Sequence, residues 1–309
     1  MRIAALGAGA VGGYFGGRLA QAGHDVAFIA RGAHLAAIRD AGLRVDSIAG
    51  DFVVAPAQAT DDPASVGFVD FVILAVKTWQ LGDAIRLMRP LVGPRTAVLP
   101  LLNGVEAADE LAAGLGADHV LAGVCRIITT IEGPGHIRHS GAVPWIALGE
   151  LDNTVSDRVR RLHGALVEAG VGAEIAADIH VAVWEKFMFI ATMSGIGAVT
   201  RAPIGEWLHL PETRRMAEAA LAEVVAVGRA HGVALPDPSV ARTLAFMDGV
   251  PPSATASMQR DIMAGRPSEL EAQSGAVVRL GARVGVPTPI HSFLYHSLLP
   301  QERAARGRR

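Results

Sequence analysis

The sequence predicts an α/β amino-terminal domain followed by an all-helical carboxyl-terminal domain. Three observations carry that prediction. Short apolar runs alternate with helix-length segments up to about residue 177, helix-spaced segments dominate after it, and the first apolar run breaks into glycines at Gly7, Gly9 and Gly12. At 309 residues the chain is long enough for two cores, because a single core rarely grows past about 250 to 300 residues. We expect the first domain over residues 1–177 and the second over 178–309.

The elements follow in order. Arg2 to Leu6 reads as a strand, Val11 to Ala22 as a helix ending at Gly23, and His24 to Ile29 as a second strand. Ala33 to Ala41 can form a short helix, and Gly42 to Val54 a hairpin turning at Gly50-Asp51. Phe68 to Val76 is nearly all apolar, as a central parallel strand covered on both faces must be. Gln80 to Met88 has helical spacing, and Ala97 to Leu102 gives a strand that stops at Asn103-Gly104. Between Leu121 and Leu148, strand-like pieces are broken at Gly133-Pro134-Gly135 and Ser140-Gly141, a texture that suits the edge or extension of the same sheet. Val155 to Ala169 is a helix candidate and Val171 to Ile175 a last strand.

Helices then dominate, near Val181–Thr192, Glu212–His231, Ser239–Phe246, Glu269–Val284 and Ile290–Leu299. Apolar positions are dense between Met216 and Val227, with Glu218 and Glu223 as polar positions facing solvent or a partner. Such a face is either internal core or the contact of a homodimer, and a homodimer is the expectation.

Composition excludes several classes. A net charge of −2 leaves no basic footprint for nucleic acid, and the cluster Arg303, Arg306, Arg308 and Arg309 reads as a frayed, solvated tail. The single cysteine, Cys125, allows no intrachain disulfide and no cysteine-built metal site, and its apolar neighbours favour burial. The eleven histidines form no His-x-x-x-His string, so no metal is expected. Every long apolar run is interrupted, and the first apolar residues already serve as a strand rather than a signal segment. The expectation is a soluble, cytoplasmic protein with no membrane partner.

The glycine pattern is Gly-x-Gly-x-x-Gly over Gly7-Ala8-Gly9-Ala10-Val11-Gly12, set between a strand and a helix. The first glycine permits a tight turn, the second lets backbone approach a pyrophosphate, and the third lets helix and strand pack closely. That context points to dinucleotide binding in a Rossmann-like domain, against the alternative of a turn that serves packing alone. The second strand ends at Ile29-Ala30-Arg31-Gly32, where an acid would bond the adenosine ribose and repel a 2′-phosphate. Arg31 instead offers a cationic fork, so NADP(H) is the expected cofactor, the alternative being a solvated arginine. Arg18 is read as solvated.

Other residues can carry chemistry. Asn103 and Lys77 each follow a strand at its carboxyl end, where ligands of such sheets gather; the plainer readings are an Asn-Gly turn and a solvated lysine. Lys186 lies in Trp184-Glu185-Lys186-Phe187 beside the apolar Ile179, Val183, Phe187 and Ile190, where lost solvation would make it a usable acid. Alternatively its stem packs while its ammonium reaches water. Ser257 and Glu269 flank the break Gly265-Arg266-Pro267. Ser268 reads as a helix N-cap, with Glu269 at the first helical position and its oxygens suited to accept from a hydroxyl. His180 and His291 can move protons, though packing or surface roles account for both.

Taken in order, the glycine string, Ala75-Val76-Lys77-Thr78-Trp79, Leu102-Asn103-Gly104-Val105, Trp184-Glu185-Lys186-Phe187 and Ser257-Met258-Gln259-Arg260-Asp261-Ile262 leading to Ser268-Glu269-Leu270-Glu271 resemble the ketopantoate reductases. These are NADPH-dependent enzymes of pantothenate synthesis. The resemblance implies reduction of 2-dehydropantoate, with Lys186 and Glu269 catalytic, Asn103, Ser257 and Glu269 on the substrate, and Arg31, Lys77 and Asn103 with the glycine loop on the cofactor. The chain departs from the family at Ile190 and Ser194, four and eight residues beyond Lys186, where well-studied members carry asparagines. Its alternatives are a reductase of another small 2-keto or 3-hydroxy acid, or a non-catalytic dinucleotide-binding protein.

Overall fold

The strands of the amino-terminal half divide between two sheets. The computed structural model describes residues 1–307. In chain order the first half contains β1 (Arg2–Leu6), α1 (Ala10–Gln21), β2 (Asp25–Ile29), α2 (Gly32–Ala41), β3 (Leu43–Ser47), β4 (Phe52–Val54), β5 (Gln58–Thr60), β6 (Phe71–Leu74), α3 (Leu81–Leu87), β7 (Ala97–Pro100), α4 (Ala107–Leu115), β8 (Leu121–Gly133), β9 (His136–Glu150), α5 (Asp157–Glu168) and β10 (Gly172–Ile175). The first sheet is wholly parallel, in the order β5-β2-β1-β6-β7. Its two central strands explain the apolar runs in the sequence: Ile3 to Leu6 and Phe71 to Leu74 are all buried, as strands covered on both faces require. The edge strand β5, Gln58-Ala59-Thr60, is too short and polar to show in the sequence.

The span from Leu121 to Leu148 corrects one expectation, because it does not extend that sheet. β8 and β9 form a long antiparallel hairpin, and β3 joins β9 in parallel, so the Gly42–Val54 hairpin belongs to a second sheet ordered β10-β9-β3-β4. The reason lies in α1, which has apolar or glycine positions on every side. One core surrounds its Tyr14, Phe15 and Leu19, drawing Ile3 and Phe28 from the first sheet and Val45, Ile137 and Ile146 from the second. A helix apolar all round needs cover on both sides. Arg18 is likewise not simply solvated: its guanidinium sits 4.8 Å from the Phe52 ring centroid and donates to the Ala49 carbonyl at 3.0 Å.

The second half continues with α6 (Ile179–Thr200), α7 (Ile204–Leu208), α8 (Pro211–Ala230), α9 (Ser239–Asp248), α10 (Ser257–Met263), α11 (Ser274–Val284) and α12 (Pro289–Gly307). By length and mean hydropathy α6 could cross a membrane, but 61% of its most apolar window is buried, and Phe187, Met188, Ala191 and Ile196 lie in the helical core. The chain separates into two compact units: Met1–Leu102 with Glu106–Ile179, and Asn103–Val105 with the helices from His180 onward.

Two further expectations are corrected in this half, and a third finds no support in it. The dense apolar face of α8 is internal: Ala217, Ala220, Leu221, Val224 and Val227 are fully buried in the chain's own core, so the homodimer expectation draws no support from it. Glu223 is buried within the chain rather than solvent-facing, and its carboxyl accepts from the amides of Ile290 (2.7 Å) and His291 (2.9 Å) at the start of α12. Burial raises its pKa, and those two bonds oppose the rise. Of the basic tail, Arg303 and Arg306 belong to α12, and Arg306 pairs with the buried Glu302 at 2.6 Å; Arg308 and Arg309 lie outside the described residues.

Candidate active site

In the first unit the glycine loop has the geometry its sequence requires. Gly7 has φ +86°, and a Cβ there would lie 2.9 Å from the Ala75 carbonyl; a Cβ on Gly12 would lie 2.4 Å from the Gly7 oxygen. A larger residue at Gly7 would collide with the backbone leaving β6, and one at Gly12 would push α1 off the glycine turn. Gly9 differs, since a Cβ on it would meet only Ile131 Cδ1, at 3.8 Å, and it caps α1 without any side-chain bond. The first amides of a helix lack intrahelical acceptors, so those of Ala10, Val11 and Gly12 suit an anion. The loop amides of Gly7 and Ala8 are taken up by the Ile29 carbonyl at 3.2 and 3.1 Å.

Arg31 is exposed and caps α2 just past β2, and no acid stands at that strand end. Lys77 is also exposed, three residues beyond β6, with its ammonium 5.8 Å from the Trp79 ring centroid. Together the loop and Arg31 suit a dinucleotide: amides for a pyrophosphate and a cationic fork for a further phosphate. Cys125 is buried, as its neighbours imply.

The second unit brings two of the remaining candidates together. Asn103 donates from Nδ2 to Glu269 Oε2 at 2.9 Å, and Glu269 is only 4% exposed. The Asn103-Gly104 turn can approach so closely because Gly104 has φ +90° and a Cβ on it would lie 2.9 Å from the Ala272 oxygen. Glu269 is not the first helical residue, which corrects the sequence expectation. Its carbonyl accepts from the Ala272 and Gln273 amides in a turn, and α11 begins at Ser274.

Nor does Ser268 cap that helix. Its hydroxyl donates to Glu302 Oε2 (2.6 Å) and accepts from Leu270 N (3.2 Å). Glu302 also takes the Ser268 amide at 3.0 Å, while Arg306 donates to the Ser268 carbonyl at 3.0 Å. Side chains of α12 thus hold the hydroxyl, the amide and the carbonyl of the residue preceding Glu269. Sequence reading missed Glu302 and Arg306, and separation of more than thirty residues left no signal for them.

Lys186 lies half-buried on α6, beside the edge-to-face pair of Trp184 and Phe187, whose ring centroids are 5.6 Å apart. Its neighbour Glu185 is paired with Arg242, and Ile190 one turn further packs on the helical core. Ser257 opens α10 and is half-buried. Gln259, also missed from sequence, fixes that helix start: it accepts from the Ala256 amide at 3.2 Å and donates to the Ala202 carbonyl at 2.9 Å. A Cβ on Gly197 of α6 would lie 2.5 Å from Gln259 Oε1, so the glycine lets this glutamine sit against α6.

The two histidines divide. His180 is half-buried in the first turn of α6. His291 is fully buried and its pKa is lowered to about 4, because burial disfavours the cation more than the bond from Nε2 to the Ala220 carbonyl supports it. It is a packing residue. Among the described residues no cluster of His, Cys, Asp or Glu could hold a metal ion.

Comparison with known proteins identifies the family. The family model "Ketopantoate reductase PanE/ApbA" matches residues 3–153, and its carboxyl-terminal companion, "Ketopantoate reductase PanE/ApbA C terminal", matches residues 178–302. The chain belongs to the ketopantoate reductase family. A 2-dehydropantoate 2-reductase of Nostoc sp. is 32% identical over 302 residues, covering 96% of this chain and 94% of the relative. The crystal structure of 2-dehydropantoate 2-reductase from Geobacter metallireducens superposes with a TM-score of 0.91 at 33% identity, covering 97% of this chain and 99% of that one. A ternary structure of D-mandelate dehydrogenase with NADH and anilino(oxo)acetate has a TM-score of 0.90 at 25% identity, each chain covered to 99%. Ketopantoate reductases and a dehydrogenase of a different 2-hydroxy acid therefore share this fold.

Proposed function

We propose that the chain is an NADPH-dependent 2-dehydropantoate 2-reductase, acting in cytoplasmic pantothenate synthesis. The observation that supports this reading is the buried Glu269 carboxyl held by Asn103, an acceptor suited to a hydroxyl of a small substrate. The amides of Ala10, Val11 and Gly12 would hold the pyrophosphate above the turn that Gly7, Ala8 and Gly9 shape, Arg31 would meet the 2′-phosphate, and Lys77 and Asn103 would also serve the cofactor. When bound, the reduced nicotinamide supplies a hydride to the ketone carbon.

This chain's residues do the rest. Lys186 donates a proton to the ketone oxygen as negative charge develops there. Glu269 accepts from the substrate's terminal hydroxyl, and the Ser257 hydroxyl donates to its carboxylate. The exposed Arg31 supports NADPH over NADH.

One observation favours a second reading. Ile190, one helical turn past Lys186, presents hydrocarbon where an amide would bond the substrate. In that reading the substrate is a 2-keto acid with an apolar substituent, as the likeness to D-mandelate dehydrogenase suggests.

The test is oxidation of NADPH with and without 2-dehydropantoate, repeated with NADH and with phenylglyoxylate. The first reading expects the highest kcat/KM with NADPH and 2-dehydropantoate. Preference for phenylglyoxylate would replace it with the second, and the absence of any keto-acid-dependent oxidation would remove both.

A further inference from the structure

His34 stands one turn past Arg31 on α2, half-buried, and its ring joins two stretches of backbone 127 residues apart in sequence. The Gly135 amide donates to Nδ1 at 3.0 Å, and Nε2 lies 2.8 Å from the Ala8 carbonyl oxygen. An amide can only donate and a carbonyl can only accept, so Nδ1 carries the lone pair and Nε2 the hydrogen. The ring is therefore a directed bridge from the turn of the β8–β9 hairpin into the glycine loop.

Both ends of the bridge are constrained. Gly135 has φ +71°, a Cβ on it would lie 3.0 Å from Ala37 Cβ, and its carbonyl accepts from Arg44 N at 2.9 Å. The Ala8 carbonyl belongs to the same planar peptide as the Gly9 amide, which donates to the Gly7 oxygen at 2.7 Å. His34 holds one edge of that plane and Gly7 the other. The hairpin meets the loop region twice more: Ile131 Cδ1 lies 3.8 Å from where a Gly9 Cβ would stand, and Ile137 Cδ1 lies 2.4 Å from that of Gly13.

We propose that His34 is a positioning residue of the dinucleotide site. By fixing the Ala8–Gly9 peptide it sets how the chain enters α1, and so where the first amides of that helix point. The inference rests on the reading of the glycine loop as a pyrophosphate site. It carries a signature that Arg31 does not share: the pyrophosphate is common to both nicotinamide cofactors, so loss of the bridge weakens NADPH and NADH alike.

The test measures Kd for NADPH and NADH by nucleotide fluorescence on the full chain, with Tm read in parallel, for His34→Ala, His34→Leu and His34→Gln. Losing the bridge raises Kd about tenfold for both cofactors in the Ala and Leu variants, the size of one to two lost hydrogen bonds. Glutamine, which can donate and accept, stays within about threefold of the parent, by the same scale. Parent-like Kd in a folded Ala or Leu variant overturns the proposal, as does a Gln variant as weak as Ala. Failure of both Ala and Leu to fold would reassign His34 to folding and also ends it. A parent chain that binds neither nucleotide would instead overturn the reading of the loop itself.

Discussion

Asn103 and Glu269, 166 residues apart in sequence, meet in a 2.9 Å hydrogen bond that ties a strand-end turn to the segment entering α11. A buried carboxyl that loses one donor bears the desolvation cost of an unmade bond, about 1 to 3 kcal/mol. Asn103→Ala should therefore lower Tm and raise KM for the hydroxylated keto acid roughly tenfold or more, on the same scale. Glu269→Ala should raise that KM at least as much while sparing a keto acid without the hydroxyl. An equal fold-rise in KM for both substrates, relative to the parent, would remove the hydroxyl from the mechanism.

Lys186 is expected to act on the developing oxyanion rather than on binding. Lys186→Ala should reduce kcat by roughly 10²- to 10⁴-fold, the usual worth of a positioned proton donor, with nucleotide Kd unchanged. Stopped-flow measurement of single-turnover NADPH oxidation reads the chemical step directly. A rate like the parent's would reassign the lysine to packing.

Arg31 should choose between cofactors. Charge-assisted bonds to a phosphate are worth about 1.5 to 3 kcal/mol, so Arg31→Ala should weaken NADPH roughly 10- to 100-fold and leave NADH nearly as before. Parallel titrations give the ratio. An equal loss for both nucleotides would argue against contact with the 2′-phosphate.

His291 makes stability depend on pH. With its folded pKa lowered to about 4 from 6.5, it stays neutral in the fold where the unfolded chain binds a proton. Its contribution is complete above pH 6.5 and is lost as pH falls from there towards 4, amounting to roughly 3 kcal/mol across the window. Glu223, with a raised pKa, acts in the opposite sense and loses its contribution as pH rises through the folded value. The measurement is the urea midpoint between pH 4 and 7 for the parent and His291→Leu. The variant should show the shallower decline on acidification, and matching slopes would refute the assignment.

Much of the first unit was readable because its signals are local. The tight turn at Gly7, the close approach at Gly12 and the apolar runs of β1 and β6 all depend on neighbours within a few residues or on strand period. The same locality misled for β8 and β9: alternation and turns mark strands, but only the need of α1 for cover on both sides assigns them to a second sheet. Ser268-Glu269 shows the limit most clearly. A serine before an acid reads as a helix start, yet Glu302 and Arg306 on α12 take the serine's hydroxyl, amide and carbonyl, and the helix begins six residues later, at Ser274.

The sequence by itself determined the α/β and helical halves, the glycine loop and the residue types available for reduction, because backbone sterics and hydrophobic periodicity act over short spans of chain. Only the tertiary structure decided that Asn103 bonds Glu269, that Glu223 is a buried helix cap and that His34 bridges Ala8 to Gly135. Those contacts join segments from 26 to 166 residues apart. Their geometry is set by packed cores that bring distant backbone within hydrogen-bond reach, and no local pattern encodes that distance.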